Sequence, residues 1–144
     1  MTAKEYLGEA RTLRIRIKGK QERIKQLQEL AESTTYNIAA ERVSGGSNTQ
    51  KIPAVVSCIA DFRQEIAEDT AKLIQRQREI QCYINQMHRE KLKTVLELYY
   101  LNGLTFQDVA ERMDKSVRHI TRLHGDALQE IEKEILKCPV LSYS

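Results

Sequence analysis

The chain has 144 residues, of which 30% are charged and 6% aromatic, with no tryptophan and two prolines. That composition suits long helices and argues against one thick globular core, and the length allows one domain or two small ones. A formal net charge of +3 is too small to imply a nucleic-acid partner by itself.

The distribution of charge says more. Ten basic and six acidic side chains fall in residues 1–51, four and five in 52–87, and nine and nine in 88–144. No apolar run approaches the ~20 residues that span a bilayer, and no signal peptide opens the chain, so a soluble cytoplasmic protein without a membrane partner is expected. Cys58, Cys82 and Cys138 are odd in number and widely spaced. Free thiols in a reducing cytoplasm fit them better than a disulfide framework.

Residues 2–42 read as one long helix, with Thr2 as cap and Glu5 at the capping-box position. Ala10, Leu13, Ile17, Ile24, Leu27 and Ala31 alternate spacings of three and four, as in a coiled-coil seam. Lys20 occupies an expected apolar position beside Gly19, which predicts a local weakness or bend. A basic row, Arg11, Arg14, Arg16, Lys18, Lys20, Arg23 and Lys25, spreads around this helix. It reads as a solvated surface, with auxiliary phosphate contact or an acidic protein partner as the alternatives.

Residues 44–51, SGGSNTQK, form the clearest loop, and Pro53 suits the first turn of the next helix. In that helix Ile52, Ile59, Ile66, Leu73, Ile80 and Met87 fall seven apart. The companion line, Val55, Phe62, Asp69, Arg76 and Tyr83, is mixed. Asp69 and Arg76 imply either a narrow seam at mid-length or a seam shifted onto Ile74 and Ile84. Two helices around a short loop predict an antiparallel hairpin over residues 1–87, with arms ~50 Å long. Two narrow stripes bury little alone, so a homo-oligomer or another protein partner is expected on the hairpin.

The apolar phase slips between Met87 and Leu92, which places a junction at His88–Glu90. Leu92 to Leu101 then forms the first helix of a second domain, residues 88–138, ended by Asn102-Gly103. Thr105 caps the next helix with Asp108 three residues on, and Phe106, Val109, Ala110 and Met113 share a face. Asp114-Lys115-Ser116 is a break, and Ser116 can cap the following helix. Ile120 and Leu123 carry the apolar stripe onward, and Ala110 stands where the two helices cross most closely. The last helix continues through Leu128, Ile131 and Ile135 to Lys137; Gly125 allows a bend, and Pro139 stops the helix. Residues 139–144 form a mobile tail.

This pattern is that of a DNA-binding helix-turn-helix, whose second helix lies in the major groove. Arg118 and Arg122 stand one turn apart on its exposed face, with Thr121 between them and Lys115 at its start. No acidic residue occurs from Lys115 to His124. Arginine can grip a guanine edge or a phosphate with paired hydrogen bonds. The same residues would otherwise be the solvated face of an ordinary helical hairpin.

The stretch LELYYLNGLTFQDVAERMDKSVRHITRLHGDALQEIEK resembles region 4 of bacterial sigma factors, the module that reads promoters. Val95-Leu96, Tyr100, Gly103-Leu104-Thr105, Val109-Ala110, Ser116, Ile120 and Ala127-Leu128 carry the resemblance, which spans roughly Arg89 to Glu132. It implies that Val117, Arg118, Thr121 and Arg122 face base edges and phosphates. Asp114 departs from the pattern at a turn position where glycine is usual; aspartate tolerates the left-handed conformation better than most residues. Nothing upstream resembles the polymerase-binding and promoter-melting regions of a full sigma factor. The opening MTAKEYLGEA and the long coiled region resemble small phage-encoded proteins of Gram-positive bacteria, some described as late-gene transcription regulators.

No catalytic constellation is visible. His88, His119 and His124 stand without a cysteine or carboxylate pair at metal-ligand spacing, and neither a Walker loop nor a dinucleotide-binding glycine cluster occurs. His119 and His124 read as surface or phosphate-facing groups. The expectation is an all-α, non-enzymatic protein without cofactor or metal: a helical hairpin followed by a sigma-region-4-like helix-turn-helix. Its expected role is a phage or prophage transcription regulator in the host cytoplasm, binding double-stranded DNA through Lys115, Ser116, Val117, Arg118, Thr121 and Arg122. RNA polymerase is a further expected partner. The alternatives are a small-terminase-like DNA-packaging protein, which would form a large ring, and a polymerase-docking adaptor that never touches DNA.

Overall fold

The structure, a computed structural model, describes residues 1–40 and 51–138, with the backbone alone for 34–40 and 51. The expected loop at 44–51, apart from Lys51, and the tail at 139–144 with its stop at Pro139 lie outside the described residues. The described residues are all-α, with no strand among them: α1 (Ala3–Ala40), α2 (Lys51–Gln86), α3 (Glu90–Leu96), a π-helical turn (Glu97–Leu101), α4 (Phe106–Met113) and α5 (Val117–Lys137).

Local chemistry sets most of these boundaries. The Thr2 amide donates to Glu5 at 2.8 Å, and the Glu5 amide donates back to the Thr2 hydroxyl at 3.2 Å, closing a capping box on α1. A helix break falls where the junction is expected: α2 ends at Gln86, and Arg89 is the extended N-cap of α3. The expected bend at Gly19-Lys20 does not break α1, and α5 runs unbroken through Gly125.

The chain forms two compact units, and they do not divide at residue 87. One comprises Met1–Arg14 and Lys72–Ser144, the other Ile15–Ala71. The first fourteen residues therefore share a core with the C-terminal half. Tyr6, Leu7 and Ala10 of α1 join Ile80, Tyr83 and Ile84 of α2, Leu92, Val95 and Leu96 of α3, Tyr100, Val109 and Ala110, and Ile120, Ala127 and Ile131 of α5. Ile74 is exposed while Leu73 and Ile80 face inward, so at mid-length the seam of α2 stays on its seven-residue line, and only near the end of the helix does it widen to take in Ile84. A polar cluster closes the α1–α2 contact in this unit: the Tyr6 hydroxyl donates to Glu79 at 2.6 Å, and Arg76 pairs with Glu9 at 2.6 Å while lying over the Tyr6 ring. Burial, and then the bond to Glu79, push the Tyr6 phenol well above its usual range, so it stays a donor.

In the unit Ile15–Ala71, α1 and α2 touch in opposite directions: Arg16 meets Asp69, Lys20 meets Asp69 and Glu65, and Arg23 lies over Phe62. The seam residues Ile17, Ile24, Leu27, Ile59, Phe62 and Ile66 are half-buried, and among the described residues no apolar side chain of this unit is fully buried. Much of the basic row is thus engaged within the fold. Arg16, Lys20 and Arg23 contact α2 here, and Arg11 and Arg14 are used in the other unit, whereas Lys18 and Lys25 are exposed.

Candidate nucleic-acid interface

α4 and α5 are held in a defined relation by three features that sequence chemistry anticipates. At the start of α4, the Thr105 hydroxyl accepts from the Asp108 amide at 3.2 Å, and the Thr105 amide donates to the Asp108 carboxylate at 3.4 Å, so the box is complete despite its shorter acid. At the end of α4, Asp114 adopts the left-handed conformation, φ 54° and ψ 48°, and the Lys115 amide donates to the Ala110 carbonyl at 2.9 Å. At the start of α5, the Ser116 hydroxyl accepts from the His119 amide at 3.1 Å.

The inward faces then pack. Val109 and Ala110 of α4 and Ile120, Leu123, Ala127 and Ile131 of α5 are buried, with Phe106 and Met113 against them. The outward face of α5 carries the expected set. Lys115, Ser116, Val117, Arg118, Thr121 and Arg122 are all exposed on one short stretch around the turn and the first half of the helix. The Arg122 guanidinium donates to His119 Nδ1 at 3.1 Å, and the Thr121 hydroxyl donates to the Val117 carbonyl at 2.9 Å. Arg118 and Lys115 make no hydrogen bond or ion pair among the described residues.

His124 is not a surface group. It is 7% exposed, its Nε2 shares a 2.7 Å hydrogen bond with the Tyr100 hydroxyl, and it packs against the rings of Tyr99, Tyr100 and Phe106. Burial, with a smaller contribution from Lys4, lowers its pKa, so the ring is neutral at pH 7. Five residues on from His119, it falls on the inward side of α5, where it anchors the helix to the π-helical turn.

That turn was not foreseen. Its wider winding is marked by the Asn102 amide donating to the Glu97 carbonyl at 2.9 Å, followed by the Leu104 amide donating to Leu98 at 3.1 Å. Widening leaves carbonyls without helical partners, and α1 supplies donors. Arg11 donates to the Tyr99 and Leu104 carbonyls at 2.7 and 2.8 Å, and Arg14 donates to the Leu101 carbonyl. Arg11 also lies 3.9 Å above the Tyr99 ring, which stacks in turn on Phe106 at 4.4 Å. Gly103 has φ 73°, and a Cβ there would lie 2.7 Å from Arg14 Cδ. Two arginines expected to face solvent thus brace the segment leading into α4. Their spacing of three, beside Leu7 and Ala10, is the only trace of this in the sequence.

The described residues contain no group of histidine, cysteine and carboxylate side chains able to hold a metal, and none of their helices is long and apolar enough to cross a membrane. Cys58, Cys82 and Cys138 are free thiols.

The architecture defines an all-α protein with an exposed basic stretch on its last helix. The chain belongs to a family described as a protein of unknown function (DUF1492), whose profile matches residues 32–132, from the end of α1 into α5, and so includes the whole basic stretch but not Arg11 or Arg14. No curated protein and no solved structure matches it.

Proposed function

We propose that this protein is a sequence-specific DNA-binding regulator of transcription, encoded by a phage or prophage, whose α4 and α5 act as a sigma-region-4-like helix-turn-helix. The observation that carries this reading is the outward stretch Lys115 to Arg122. It holds three exposed cations and no acid, on a helix whose opposite face is fully engaged in the core. An exposed helix start with unengaged Lys115 and Arg118 suits a major groove, where phosphates position the helix and base edges specify it. Nine acids balance the nine basic residues of 88–144, so attraction to bulk DNA is modest and specific contacts matter more. The half-buried seams of Ile15–Ala71 supply the surface for self-association or for docking RNA polymerase.

The test is selection from randomised duplexes with the full chain, followed by binding to the selected and a scrambled site across a salt series. A preferred site, bound with affinity that falls linearly in log–log with salt, is expected. Equal binding to both duplexes would remove sequence reading, and no binding to either would make α4–α5 a protein-docking element. Light scattering separates the regulator, a small oligomer, from a packaging protein, a large ring.

A further inference from the structure

Val117 is the first residue of α5 and is 45% exposed. It is a branched apolar side chain set among Lys115, Ser116 and Arg118, all of them exposed. The fold does not use it: Val117 belongs neither to the buried cluster nor to the residues packed against that cluster. One turn on, Thr121 is also exposed, and its hydroxyl donates to the Val117 carbonyl. A threonine whose single donor is occupied within its own helix offers a base only an acceptor and a methyl group. The outward stretch therefore has two chemistries side by side: cations at Lys115, Arg118 and Arg122, and methyl groups at Val117 and Thr121.

In the major groove, one base carries a methyl group. Thymine presents C5-methyl beside its O4 acceptor, whereas cytosine and adenine present amino donors and guanine two acceptors. An exposed valine pressed against an amino group would leave that donor desolvated and unpaired, which is costly. Against a methyl group it releases water from both surfaces. We infer that Val117, with Thr121 beside it, reads the C5-methyl of a thymine next to the position engaged by Arg118. This deepens the DNA-binding proposal and rests on it: α5 reads a thymine by apolar contact as well as any partner its arginines take.

The experiment uses the full chain and its selected duplex, with each thymine replaced singly by deoxyuridine, which lacks only the methyl group. Wild-type affinity should fall about fourfold at one position, the worth of a buried methyl group, and stay flat at the others. Cytosine at that position should bind worse still, and 5-methylcytosine should recover part of the loss. In Val117→Ala the penalty for deoxyuridine at that position should disappear, while Val117→Ile should keep it; unchanged thermal melting shows that both variants fold. A selected site without a methyl-sensitive thymine overturns the inference and leaves DNA reading by the arginines intact. A methyl-sensitive thymine that persists in Val117→Ala also overturns it. Absence of any preferred site overturns the inference together with the DNA-binding proposal.

Discussion

The ammonium of Lys20 lies 2.7 Å from the carboxylate of Asp69, and each of the two stands where the apolar seam of its own helix lapses. Their side chains are 17% and 6% exposed. Two misfits that each look like a flaw in one helix are a single complementary pair between two. The bonds to Asp69 and Glu65 raise the Lys20 pKa, keeping it charged. Removing Asp69 leaves the enclosed ammonium with the half-exposed Glu65 alone, 3.2 Å away, whereas replacing both Lys20 and Asp69 by apolar groups removes the cost of enclosing a poorly compensated charge. Asp69→Ala is therefore expected to lower the melting temperature clearly. Lys20→Leu combined with Asp69→Leu should restore it or raise it, in thermal melts followed by circular dichroism.

Gly103→Ala should destabilise the protein for two separate reasons. The left-handed backbone costs a non-glycine residue about 1–2 kcal/mol, and the new Cβ meets Arg14 Cδ at 2.7 Å. Adding Arg14→Ala should relieve the second contribution but not the first. Denaturant titration of the two single variants and the double variant separates them: a coupling of zero would show that Arg14 does not crowd Gly103.

Arg11→Ala should cost about 1–3 kcal/mol, the scale of hydrogen bonds from a charged donor, because the Tyr99 and Leu104 carbonyls lose their partner. Lys18→Ala, an exposed neighbour in the same basic row, should change stability little. Equal effects in the two variants would contradict the bracing role.

Acid should loosen the fold through His124. Its folded-state pKa is lowered by burial and by Lys4, so the unfolded chain takes up a proton more readily. Stability is full above the unfolded value of about 6.5 and falls as pH drops below it towards the folded value. His124→Gln should flatten the dependence below about pH 6.5. A wild-type denaturation midpoint constant below that pH would show that the ring is not desolvated.

Arg118→Ala should weaken the selected DNA site by about 1–3 kcal/mol and blur its sequence preference. Lys115→Ala should weaken all sequences alike and lower the salt slope by about one unit. The two must be measured on selected and scrambled duplexes over a salt series. An Arg118→Ala protein that loses the same factor on both duplexes would reassign that arginine to phosphate.

Boundaries governed by neighbours in sequence were legible. Thr2 with Glu5, Thr105 with Asp108, and Ser116 follow from side chains reaching amides three residues away, and the left-handed turn at Asp114 follows from the backbone tolerance of aspartate. Features that need a distant partner were not. Arg11 and Arg14 read as solvated charge because the carbonyls they meet lie 87–93 residues further on. His124 read as a surface group because the surrounding arginines dominate its local sequence, while the Tyr99, Tyr100 and Phe106 rings that enclose it come from other elements. The surface residues of α5 were legible as exposed for the opposite reason: they have almost nothing to meet.

The placement of the first fourteen residues in the same compact unit as Lys72–Ser144 sets a timetable for synthesis. Tyr6, Leu7, Ala10 and Arg11 are made well before the α2 residues Glu79 and Tyr83 and the π-helical Tyr99 that they meet or share a core with. This unit cannot close until the residues of α3 to α5 have also been made, and the face of α1 that joins its core has its full set of partners only then. A fragment beginning at residue 72 would retain the residues proposed to touch DNA but lose the helix that braces them. Such a fragment is a poor substitute for the whole chain in any binding assay.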